Sequence, residues 1–502
     1  MMRGNHVIGM AALAAAVLMA VPCAQAQNLE GRVVEHTLDN GMKLILMRRS
    51  AAPVVSAVIR YNVGSVDETK GKTGLAHLYE HLAFRGTRII GTRDYDLERQ
   101  IRSRIDSLRT ARRDLIHLQE EGAGTKTGTV DEMLSRLEAD LEAVVIREEL
   151  DQIYNINGAV GLNASTTADL TTFVVGLPAN RLPLWAVLES DRMAHSVPRD
   201  FEVERDVVAR EKQSRIEDDP EARLYRTYIE TAFSVHPYRR PVPGYEGDLK
   251  SIRPKEAKAF YHTYYSPGNA VAAIVGDIDI QGVIALAETT FGRVPPRSLP
   301  ERSIPAEPPQ GEKRTVVLEH DSEPALFLGF HKGSICGADD PVFEVLIEIL
   351  TGGNNARFHR SLFLDKRMAM DFSSWIGPGD RYPNLFTIAA RPIWPHTGEE
   401  VEEAIWAELE CLTREPVTDK ELTRAKNRLA ADFLRQLRDN RGMAKALTYY
   451  QCVTGDWRYL ESRLALIEAI GLAEVQHCAA RHFVRQNCTV AILRSTREKE
   501  HE

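Results

Sequence analysis

Apolar positions along the 502-residue chain follow two rhythms. "VVEHTLDNGMKLILM" reads as two strands turned at Asn40-Gly41, and "PVVSAVIRYNVG" follows with many β-branched residues. At "GLAHLYEHLAF", residues 74–84, the spacing becomes helical. From about Leu97 to Leu150 the chain is dense in Arg, Glu, Leu and Ile, broken by "EGAGTKTGT" at 121–129. That pattern predicts two long helices joined by a polar turn. "VGLNASTTADLTTFVVGLP" predicts a strand pair, and "RLPLWAVLESDRMAH" and "FEVERDVVAREKQSRI" predict helices. "NAVAAIVGDI" closes this half as a strand, with the helical "IQGVIALAETTFG" behind it.

"VPPRSLPERSIPAEPPQGEKR" is rich in proline and charge and suits an extended connection, placed at 299–311. Beyond it the order of elements repeats in reduced form, from "RTVVLEHDS" and "PALFLGFHKGS" to a final strand at "CTVAILRS". The expectation is an α+β chain made of a duplicated unit, each half a mainly antiparallel sheet covered by its own helices. The halves span 29–298, with a helical insertion near 97–150, and 312–499.

The first 26 residues have a basic start at Arg3, an apolar run and "AQA" before Gln27, the pattern of a cleaved secretory signal peptide. Export to a periplasm or beyond the cell is expected. No later stretch is long and apolar enough to cross a bilayer. The net charge of −8 gives no reason to expect a nucleic-acid surface. Cys336, Cys411, Cys452, Cys478 and Cys488 remain after cleavage, all in the second half and without a CxxC. One or two disulfides fit an oxidising compartment, whereas a cysteine-held metal is not suggested.

Candidate chemistry concentrates in "GLAHLYEHLAF". On a helix His77 and His81, four apart, share a face, and Glu80 lies on its edge. Two neutral imidazoles at that spacing can meet one Zn²⁺, and a carboxylate beside them can take a proton from an attacking water. The order is HxxEH, the reverse of HExxH. A third ligand is needed, and "EVERDVVAREK" offers Glu204 and Glu211, seven apart and therefore on the same helix face. One would bind metal and the other support a histidine or the neighbouring base; spacing does not choose between them. His236, in "HPYRRPVPGY", reads as structural within a loop near the cleft.

These stretches, with "GLNASTTADLTTF", "YYSPGNAVAAIVGDI" and "PVTDKELTRAKNRLAADF", resemble the pitrilysin or insulinase type of inverzincin zinc metallopeptidase, family M16. The likeness is to its short bacterial subfamily, similar to the mitochondrial processing peptidase. It runs in order through nearly the whole mature chain. It implies one Zn²⁺ per chain on His77, His81 and Glu211, with Glu80 as general base and Glu204 as a supporting glutamate outside the ligand set. It also implies a peptide substrate held by strand addition at Asn163, Ala164 and Ser165. The two halves would form half of a clamshell, closed by a second such chain.

One departure is sharp. The family borrows an arginine and a tyrosine, seven apart, from the later half to hold the developing oxyanion. Anchored on "GGNNARFHR", those positions fall at Phe363 and Met370, which donate no hydrogen bond. The expectation is a zinc-bearing endopeptidase subunit with a homologous partner that lacks HxxEH and supplies the Arg/Tyr pair. A homodimer is the competing assembly, and a non-catalytic zinc-stabilised peptide-binding or scaffolding subunit the competing function.

Overall fold

The computed structural model describes residues 29–120 and 127–496. The expected signal peptide and most of the 121–129 turn lie outside the described residues. The first sheet contains β1 (Val33–Thr37), β2 (Lys43–Arg48), β3 (Val54–Tyr61), β4 (Val160–Thr166), β5 (Thr171–Pro178) and β6 (Ala270–Gly276). Its order is β1-β2-β6-β3-β5-β4. The second contains β7 (Arg314–His320), β8 (Ala325–Lys332), β9 (Ala369–Gly377), β10 (Asn384–Pro392) and β11 (Cys488–Ser495), in the order β7-β11-β8-β10-β9.

Without β1 the two orders are the same. In each half the last strand enters between the first two: β6 runs parallel to β2 and β11 parallel to β7. All other neighbours are antiparallel. The duplication expected from element order is therefore present in the topology. β4 and β9 occupy equivalent sheet edges.

The helices are shared between the halves, which the sequence pattern did not suggest. Helix Asn440–Thr454 lies on the first sheet, where Met443, Ala444, Leu447 and Tyr450 join Ile45, Met47, Val58 and Ala273 in one buried cluster. In return helix Pro220–Ala232 packs Leu224, Tyr228, Ile229 and Ala232 against Ala325, Phe327, Ala491 and Leu493 of the second. A side chain at Gly329 would collide with the Tyr228 hydroxyl, which crosses β8 to reach Thr387 Oγ1 at 2.9 Å. Each sheet thus has one face covered by its own half and the other by a helix of its neighbour. Burying the second face this way removes apolar surface that neither half covers alone.

The connection at 299–311 has no helix or strand, as its prolines require. It is nonetheless fastened: the Glu307 carboxylate accepts from the backbone N–H of Ser234, Val235 and His236, and Gln310 donates to the Cys488 carbonyl at 2.7 Å. The insertion forms helices Tyr95–Glu120 and Gly128–Val144, with a small core of Ile101, Ile105, Leu134, Leu137 and Val144. Buried Arg199 ties it to the body through both oxygens of Glu98, each at 2.9 Å. Beyond it a separate helix, Glu149–Ile156, starts after Glu148 at φ 57°, where the sequence carries no glycine or proline to mark the break. The five described cysteines are all free, so the disulfides allowed by their number are not formed.

Candidate metal centre

Helix Leu75–Leu82 buries Leu75, Ala76, Leu78, Tyr79 and Leu82 and leaves His77, Glu80 and His81 on the opposite side. Its start is fixed by the Glu68 carboxylate, which accepts from Gly74 N at 2.9 Å and Ala76 N at 2.8 Å. Gly74 has φ 88°, and a Cβ there would stand 2.4 Å from the Pro243 carbonyl oxygen. The "HPYRRPVPG" loop can press against the helix start only because this residue is glycine.

Helix Phe201–Lys212 runs alongside and carries Glu204 and Glu211. Glu211 Oε2 stands 3.4 Å from His81 Nε2 and 3.8 Å from His77 Nε2. One donor atom from each of the three lies within 4.8 Å of the others. A tetrahedral ion bound at about 2.0–2.2 Å by nitrogen and oxygen needs donors roughly 3.3–3.6 Å apart, so this set fits zinc with small adjustments. Glu204 is placed differently. Its side chain is 3% exposed, with Oε2 at 3.4 Å from His81 Nδ1 and Oε1 at 2.7 Å from Arg85. A carboxylate on Nδ1 holds a proton there and leaves the Nε2 lone pair for a metal. The geometry separates the two glutamates that spacing could not.

The two histidines are shifted in opposite directions. Burial, helped by neighbouring His81, lowers the His77 pKa to about 4, which keeps the ring neutral. Burial also opposes charge on His81, but the Glu204 bond and the Glu211 and Glu80 carboxylates outweigh it and raise its pKa. Burial raises the Glu80 pKa against the Thr166 hydrogen bond, whose hydroxyl donates to Oε2 at 2.6 Å. A carboxylate with a raised affinity for a proton suits a general base.

These residues line one open cleft of about 980 Å³ with Asn163, Ala164 and Ser165. The last three lie on β4, opposite Val174, Phe173 and Thr172 of β5, and the outer side of β4 is a free sheet edge among the described residues. A bulge separates Val160 from Asn163 in this ladder. Thr166, Arg85 and Arg215 were missed in the sequence. Arg215 stands four after Glu211, the helical spacing that signals such a pair, and its Nη1 meets Glu211 Oε1 at 2.6 Å, whereas Arg85 pairs with Glu204 on the neighbouring helix.

His236 lies apart from the cluster. It is buried, with its pKa pushed to about 4 by that burial, and its Nδ1 accepts from Tyr238 N at 3.1 Å. Asp339, Cys478 and His482 also come together, a grouping with one cysteine that the sequence did not suggest. There His482 Nε2 at 2.9 Å and Arg481 at 3.1 Å already engage the same Asp339 oxygen, which makes an ion-pair network. Phe363 stacks on His359 at 4.8 Å, and Met370 is 61% exposed on β9. The cleft residues do not include either.

Comparison with known proteins gives one consistent result. A profile described as "Insulinase (Peptidase family M16)" matches residues 44–99, and one described as "Peptidase M16 inactive domain" matches residues 251–429. A relative in Helicobacter pylori, zinc protease PqqE, is 26% identical over 424 residues, covering 82% of each chain. The crystal structure of a protease from Helicobacter pylori superposes with a TM-score of 0.76 at 24% identity, over 92% of this chain and 99% of that one. The periplasmic protease PqqL from Escherichia coli gives 0.69 at 14% identity, over 94% of this chain but 48% of the other.

Proposed function

Because the chain belongs to peptidase family M16, we propose that it is the zinc-bearing subunit of an endopeptidase that hydrolyses peptides or unfolded segments inside a closed chamber. The observation that carries this reading is the His77–His81–Glu211 cluster with Glu80 beside it at the floor of a cleft edged by β4. His77, His81 and Glu211 would hold one Zn²⁺, which when bound supplies a Lewis acid and lowers the pKa of water.

The peptide lies along β4, paired through its backbone near Asn163, Ala164 and Ser165. Glu80 takes a proton from the attacking water as its oxygen bonds to the scissile carbonyl carbon. The same carboxyl then gives that proton to the amine nitrogen as the C–N bond breaks. The Thr166 hydroxyl fixes which Glu80 oxygen is free to do so. Glu204 keeps the His81 ring oriented throughout.

A second, homologous unit closes the chamber and brings the Arg/Tyr pair that Phe363 and Met370 replace here. PqqL, about twice as long as the segment this chain matches, supports pairing of two such units. Its description as periplasmic agrees with an exported chain. Chelation and readdition test the reading. Peptide cleavage by the assembled protein should stop when zinc is stripped and return with about one Zn²⁺ per chain. Cleavage that persists in zinc-free protein refutes it.

A further inference from the structure

We propose that Arg215 is the donor by which this chain itself stabilises charge on the scissile carbonyl oxygen; this rests on the peptidase reading above. As water adds to the carbonyl carbon, negative charge gathers on that oxygen, and a preorganised donor aimed at it lowers the barrier. Phe363 and Met370 offer none. Two arginines line the cleft, Arg85 and Arg215. Arg85 is committed behind the cluster to buried Glu204, and its side chain is 27% exposed. Arg215 is 76% exposed, yet one nitrogen is anchored on the outer oxygen of Glu211 at 2.6 Å.

That anchoring sets a permanently charged guanidinium beside the donor cluster, and one bond to Glu211 leaves further N–H groups for a substrate. The backbone contributes to the placement. After Lys212 the helix widens into a π turn, Gln213–Glu217, a device frequent at functional sites. Glu217 secures the turn by pairing with Lys212 at 2.9 Å and with Arg226. Arg215 and Ile216 of this turn line the same cleft as Glu80 and the β4 residues Asn163, Ala164 and Ser165. Arg215 gives up no proton; it contributes charge and hydrogen bonds alone.

The rival role is structural: Arg215 does no more than orient Glu211 as a ligand. The test separates the two with the zinc-loaded full chain, assembled with the same partner, as parent, Arg215→Met and Arg215→Lys. Bound zinc is measured first. Affinity is then measured for an unfolded peptide, in a Glu80→Gln background to prevent turnover, and for a phosphinic analogue of the same peptide, whose tetrahedral phosphorus carries the charged oxygen. The expected result is unchanged zinc, peptide affinity within about threefold, and analogue affinity about a hundredfold weaker for Arg215→Met, partly restored by Arg215→Lys. Zinc loss in Arg215→Met, or equal weakening of peptide and analogue, overturns the proposal. So does equal analogue binding by parent and Arg215→Met, which leaves the peptidase reading standing. A zinc-loaded parent that binds neither ligand even when assembled with its partner rejects the peptidase reading, and this proposal with it.

Discussion

At the scale of single residues, two glutamates on one helix face have different work. Glu211 shares an oxygen with the Nε2 sides of both histidines, whereas Glu204 is buried against the far nitrogen of one. Glu211→Gln should therefore weaken zinc binding by at least about tenfold, since an anionic ligand becomes a neutral one. Glu204→Gln should retain zinc more firmly, with a smaller loss of the kind seen when a ligand's supporting partner is removed. Competition with a chelator of known affinity gives both numbers, and the reverse ranking would exchange the two roles. The sequence made HxxEH legible because i, i+4 spacing on a helix converts directly into a shared face. It left Glu204 and Glu211 unresolved because residues two turns apart also share a face, and only the crossing of the two helices decides which one reaches the histidines.

At the scale of elements, strands were more legible than their coverings. β-branched runs and the Asn40-Gly41 turn specify pairing locally, and the bulged β4–β5 pair follows from one continuous stretch. The crossed-over helices Pro220–Ala232 and Asn440–Thr454 were not legible, because an amphipathic face does not say which sheet it will cover. The helix beginning at Asp419 shows how such elements are pinned. Thr418 caps it reciprocally with Glu421, and Glu421 grips Arg357 through both oxygens, at 2.8 and 3.1 Å. Burial would raise the Glu421 pKa, but the Arg357 bond and the Thr418 N–H bring it down from 4.5 to about 2. A depressed carboxylate pKa stabilises the fold above the unfolded value and loses that contribution as pH falls from about 4.5 through about 2. Glu421→Gln should cost about 1 kcal/mol near neutrality, the scale of a partly solvated bidentate pair. Denaturant unfolding of parent and variant should show this gap close between about pH 5 and pH 2; a gap that widens on acidification would contradict the assignment.

At the scale of the whole molecule, the repeated sheet order sets β4 and β9 at equivalent edges, and the candidate metal centre shares its cleft with β4. Phe363 lies beside β9 and Met370 on it, and on the proposed reading neither supplies a donor to the oxyanion. Loss of one oxyanion donor costs about 3 kcal/mol, roughly a hundredfold in rate. The zinc-loaded chain alone should be a poor peptidase, and a homologous partner carrying the Arg/Tyr pair should raise its rate. Replacing that pair by Leu and Phe in the partner should lower the maximal rate more than it weakens peptide binding, with assembly preserved. Full activity from the purified chain, independent of its concentration and of any partner, would remove the need for a second unit.

The central claim is that this cleft hydrolyses peptides with zinc held by the chain and Glu80 as the base. The most direct measurement compares the parent with Glu80→Gln, each assembled with the same partner, for bound zinc and peptide cleavage on the same samples. Glutamine keeps nearly the volume of glutamate and removes the base. The account predicts about one Zn²⁺ per chain in both and a fall in turnover of at least about a hundredfold. Equal cleavage rates at equal zinc content would contradict it.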